Sequence, residues 1–86
     1  MGQQEIIEVL EKNKIPMTAR QIALALEDTI VKVCDDLRKL LDYHEVQAIE
    51  IDRFVAREFF QVKHKMKIYY LDKKDLEKAK KFLPYL

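Results

Sequence analysis

Between Thr18 and Val46 the apolar residues fall at the offsets that two short helices crossing over a tight turn need. Ile22, Ala23 and Leu26 form the buried face of one short helix. Ile30, Val33, Leu37, Leu40 and Leu41 form the stripe of the next. Two short helices that share one core must meet on their apolar sides, and that fixes the separations between core residues. Thr18-Ala19-Arg20-Gln21 opens the first of them as a capping box, in which the Thr18 hydroxyl and the Gln21 amide satisfy free backbone donors. Met17 just before the cap and Ile22 four residues after it have the spacing of a hydrophobic staple. This helix should end near Glu27. Asp28 or Thr29 can cap its successor, which the stripe carries to about Tyr43.

The flanking segments complete an α+β pattern. A first helix is expected from about Gln3 to Lys12, with Ile6, Val9, Leu10 and, at the margin, Ile7 opposite Glu5, Glu8 and Glu11. Asn13 suits a left-handed cap at its end, and Ile15-Pro16-Met17 reads as extended because a residue before proline is pushed from helical angles. Val46 to Ile51 and Met66 to Leu71 read as strands. In the second strand, Met66, Ile68 and Tyr70 share one face and Lys67, Tyr69 and Leu71 the other. Tyr69 and Tyr70 are therefore expected one in the core and one exposed. The stretch between the strands is long for a hairpin loop. There Phe54, Val55, Glu58, Phe59 and Val62 follow helical spacing, with Asp52 as cap, so a short helix is predicted, followed by the loop Lys63-His64-Lys65. Phe54, Phe59 and Phe60 are expected to anchor that helix by packing. Asp72-Lys73-Lys74-Asp75 should open a last helix as a capping box, with Leu76, Ala79, Phe82 and Leu83 as its apolar side and Pro84 as its stop.

Size and composition narrow the function classes. Eighty-six residues suffice for a single domain, expected over residues 1–86. Such a chain buries only about 60% of its unfolded surface, and 49% hydrophobic residues make that feasible. No apolar run reaches the ~18 residues of a membrane span. The N-terminus lacks the blocks of a signal peptide, and Ile6 stands where myristoylation wants Ser or Thr. A single cysteine, Cys34, excludes an internal disulfide. These features point to the reducing cytoplasm. Gly2 is the only glycine, so no glycine-rich phosphate loop exists. Cys34, His44 and His64 show no metal-ligand spacing. Neither catalytic residue, metal nor cofactor is expected.

The run Ile22-Ala23-Leu24-Ala25-Leu26, then Thr29, Val33, Leu37, Leu40 and Val46, resembles the bacterial and archaeal winged helix-turn-helix transcription regulators. That family has an Ile-Ala pair, a Leu, a cap opening the recognition helix, three core positions along it, and a Val that begins the wing. The resemblance covers roughly residues 4 to 51, is weaker over the second strand and does not extend to the inserted segment or the last helix. It implies a three-helix bundle with a two- or three-stranded antiparallel wing, here with a helical insert and a C-terminal helix added. His44 stands where the family often has Gly before the wing, and Glu27-Asp28 replaces the common Gly between the second and third helices.

The resemblance implies double-stranded DNA as partner, contacted by the third helix and the wing. Thr29, Lys32 and Arg38 would serve on the helix, and Arg53, Arg57, Lys63, His64, Lys65 and Lys67 around the wing. Charge supports the wing. Residues 1 to 52 hold 6 Lys or Arg against 11 Asp or Glu, a net of −5, and residues 53 to 86 hold 10 against 4, a net of +6. The third helix fits less well, since Asp35 and Asp36 repel phosphate and only Lys32 lies near its start. With Ile30, Val31 and Cys34 beside those acids, that helix also suits a protein partner, so an adaptor without DNA binding is the alternative. Ile6, Ile7, Phe82, Leu83, Tyr85 and Leu86 are more apolar surface than a small monomer needs at its ends, so a homodimer is expected.

Overall fold

The computed structural model describes residues 2–81, and five helices and a three-stranded antiparallel sheet occur among them. The order is α1 (Gly2–Asn13), β1 (Met17–Thr18), α2 (Ala19–Leu26), α3 (Ile30–Asp42), β2 (Gln47–Ile51), α4 (Arg53–Val55), β3 (Met66–Tyr70) and α5 (Lys73–Lys80). A π-helical turn, Ala56–Phe60, continues α4. The strands lie in the order β1-β3-β2, an α+β arrangement compatible with a winged helix.

Local chemistry explains where α2, α3, α4 and α5 begin. The Thr18 backbone N–H donates to Gln21 Oε1 at 3.0 Å and the Gln21 N–H to Thr18 Oγ1 at 3.1 Å, which completes the capping box. Met17 and Ile22 are both buried in one cluster, as a staple requires. Of the two candidate caps for α3, Thr29 serves: its hydroxyl accepts from the Lys32 N–H at 3.2 Å, while Asp28 accepts from the Thr29 N–H at 2.7 Å. Asp52 caps α4 through the Phe54 N–H at 2.7 Å. Asp72 caps α5 by accepting from the N–H of Lys74 rather than of Asp75, so a one-way cap replaces the expected box.

α2 and α3 end by one device. At Glu27, the N–H of Asp28 reaches back to the Ala23 carbonyl, and at His44 the N–H of Glu45 reaches the Leu40 carbonyl. Both are Schellman closures around a left-handed residue. The left-handed residue after α1 is Lys14, not Asn13 as the sequence suggests. Asn13 stays helical and its amide donates to the Val9 carbonyl at 2.8 Å, satisfying a terminal acceptor from inside the last turn.

The main core lies between α1, α2, α3 and the sheet, built on Ile6, Leu10, Ile22, Val33, Leu37 and Leu40, with Val46 entering from the start of the hairpin. Ile6 is buried and Ile7 packs beside it, so neither supplies the free dimer surface expected of them. Their stripe faces α2 and α3 in the same chain. The remaining dimer candidates, Phe82, Leu83, Tyr85 and Leu86, and the predicted stop Pro84, lie outside the described residues.

A second cluster covers the other face of the sheet. Ile49 pairs with Ile68 and Ile51 with Met66. The insert folds over them through Ala56, fully buried, and Val55, Phe60 and Val62, half-buried. The predicted helical insert is therefore present, but its anchors differ. Phe54 is 69% exposed, while its neighbour Val55 packs against the cluster. The Phe59 side chain lies outside what is described. With both sheet faces packed, neither adjacent tyrosine is fully exposed. Tyr70 is buried, its hydroxyl 3.2 Å from Gln47 Oε1, and Tyr69 is half-buried against the helical core.

Candidate nucleic-acid interface

A groove of about 900 Å³ runs between the start of α2, the length of α3 and the β2–β3 hairpin. Its position follows from periodicity. On α3, Val33, Leu37 and Leu40 point into the core, which leaves Ile30, Cys34 and Arg38 at four-residue steps along the groove. On β3, Lys67 and Tyr69 share the face opposite Ile68, and both line it. Arg20, in the first turn of α2, and His64 and Lys65, from the loop before β3, complete the rim.

Arg20, Arg38, Lys65 and Lys67 thus converge with His64, and Glu50 is the only carboxylate among the lining residues. Lys65 Nζ lies 3.4 Å from Glu50 Oε1, but both side chains are well exposed, so the pair contributes little and yields readily to another anion. Arg20, Arg38 and Lys67 have no carboxylate within ion-pair distance among the described residues. Cations gathered along a concave surface reinforce one another's field, which attracts a polyanion. Ile30, Cys34, Leu41, Met66 and Tyr69 supply the apolar wall. Partial burial there pushes the Tyr69 phenol above its ordinary range, and the Cys34 thiol beside it acts in the same direction.

The sequence-derived site residues divide into three groups. Arg38, His64, Lys65 and Lys67 meet in the groove. Thr29 and Lys32 remain at the start of α3, engaged locally, Thr29 as the cap and Lys32 with its Nζ 3.5 Å from Asp28 Oδ2. Arg53, Arg57 and Lys63 are exposed on the insert and its loop, outside the groove lining. The Arg53 guanidinium lies 5.2 Å from the centre of the Phe54 ring. Arg20 escaped the sequence reading: the capping box accounts for its neighbours Thr18 and Gln21, and only the return of β3 beside α2 places it opposite the hairpin. Asp35 and Asp36, also on α3, are not among the side chains that line the groove.

No group of three or more metal-ligating side chains comes together among the described residues. No helix there is long and apolar enough to cross a membrane. Comparisons of the chain with protein-family models, curated proteins and solved structures find no match.

Proposed function

We propose that this chain is a winged-helix domain that binds double-stranded DNA by its backbone, in the groove between α3 and the hairpin, and acts in transcription regulation. One observation carries the proposal: four cations and a histidine converge there against one carboxylate, in a chain whose net charge is only +1. Composition alone does not produce such a gathering. Arg and Lys at phosphates fix orientation without reading sequence. The outer face of α3 offers Val31, a paired Lys32 and Asp35, which is a poor base-reading set. The contact is therefore one of charge and shape, with the helix edge and the hairpin straddling a strand.

The test is fluorescence anisotropy with a duplex of about 25 base pairs, a little over two helical turns, across a salt series. Each phosphate contact contributes about −0.9 to the slope of log K against log salt. Replacing Arg20, Arg38 and Lys67 together by Ala should flatten the slope by up to about 3 and weaken binding at low salt. Binding that ignores this change would move the contact elsewhere, and no binding at low salt would end the proposal.

A second reading has its own observation. Leu24 and Val31, on either side of the α2–α3 turn, are each 74% exposed. They favour a protein partner at that corner, with the fold acting as an adaptor.

A further inference from the structure

Phe54 is a large aromatic side chain that the fold leaves in water, and the insert does not need it to dock. Ala56, Val55, Phe60 and Val62 hold the insert against Ile51 and Ile68. The Arg53 guanidinium stands over the Phe54 ring at 5.2 Å, and Arg57 follows on the same short segment. Neither arginine has a carboxylate within ion-pair distance among the described residues. A single exposed aromatic side chain is a poor docking patch for a protein, which needs several contiguous apolar residues. An exposed ring beside guanidinium groups that no carboxylate pairs suits an unpaired nucleotide, since every base has a face to stack and every phosphate a charge to neutralise.

Place in the fold specifies which nucleic acid. The far end of the insert, Phe60 and Val62, borders the basic groove. Phe54 is six residues earlier, about 9 Å along a helical segment. At ~3.4 Å per stacked base, a strand leaving the groove reaches it within about three nucleotides. A base inside a continuous duplex has both faces covered, so only an unpaired one can use the ring. We infer that Phe54, with Arg53 and Arg57, is a stacking site for an unpaired base, so that the domain favours duplexes with single-stranded overhangs over continuous duplex. The inference rests on the groove as the duplex contact.

The experiment exploits the absence of tryptophan from the chain. Phe54→Trp installs a single fluorescent reporter at an exposed position, and Tyr43→Trp, at the end of α3, is its control. Each is titrated with a blunt duplex of about 25 base pairs, and with the same duplex carrying an overhang of about five nucleotides. The overhang should quench Phe54→Trp emission, the blunt duplex should not, and Tyr43→Trp should respond to neither. By anisotropy, the unsubstituted protein should bind the overhang duplex about tenfold more tightly than the blunt one, and Phe54→Ala should erase that difference while keeping blunt-duplex affinity. Equal affinity for the two duplexes, or a preference that survives Phe54→Ala, overturns the inference while leaving the groove contact standing. An emission change that follows protein concentration rather than DNA assigns the ring to a second copy and overturns it too. Failure to bind either duplex removes the groove contact and this inference together.

Discussion

Four residues among those described take left-handed backbone angles: Lys14 (φ 54°), Glu27 (φ 55°), His44 (φ 58°) and Gln61 (φ 58°). None is glycine, so each carries a cost of roughly 1–2 kcal/mol from the contact between Cβ and the backbone. The closures they permit offset it by satisfying the terminal carbonyls of α1, α2, α3 and the insert. Tyr69 is the other residue with a measurable consequence. Burial favours its neutral form, so its pKa in the folded chain lies above the unfolded value of 10.0. Below that value both states hold the proton and the contribution to stability is intact. As pH rises beyond it, the unfolded phenol ionises first, and stability is lost through the folded pKa. Urea midpoints measured from about pH 9 to 11 should therefore fall more steeply for the unsubstituted protein than for Tyr69→Phe. Parallel curves would contradict the burial of this phenol.

The inserted segment shows how an element can be legible while its packing is not. Asp52 and the helical spacing after it announce a short helix, and Asp52 does cap one. Which side chain anchors it depends on the sheet below, where Ile49, Ile51, Met66 and Ile68 offer a surface against which the small Ala56 is fully buried. The spacing gives Phe54 and Ala56 no such ranking, and a phenylalanine outweighs an alanine as an expected anchor. Ala56→Leu should overpack this contact and cost about 1–3 kcal/mol, whereas Arg57→Ala on the exposed side should stay within about 0.5 kcal/mol. Denaturant unfolding distinguishes the two. Unchanged stability of Ala56→Leu would mean the insert is not docked on Ile51 and Ile68.

At the scale of the whole molecule, the basic groove and the most exposed aliphatic side chains, Leu24 and Val31, lie in different places. The basic groove takes its cations from α2, α3 and the hairpin, while the exposed Leu24 and Val31 flank the α2–α3 turn beside Glu27 and Asp28. If DNA lies in the groove and α3 does not enter a major groove, the double change Leu24→Ser with Val31→Ser should leave duplex affinity within about twofold. A loss of about tenfold in the anisotropy titration would place that corner on the DNA instead and restore the third helix as the principal contact.

The apolar offsets between Thr18 and Val46, together with the caps at Thr18, Thr29 and Asp52, determined the helices and their order, because periodicity and capping act over three or four residues of chain. Arg38, His64, Lys65 and Lys67 were legible as candidates for the same reason: each stands out in its own segment. Their meeting with Arg20, the separation of Arg53, Arg57 and Lys63 from them, and the exposure of Phe54 were decided only in three dimensions. The pairing of β3 with both β1 and β2 sets which side chains face one another across the groove. Its β1–β3 half joins residues about fifty positions apart, as in Met17 with Tyr69, and no local pattern records it.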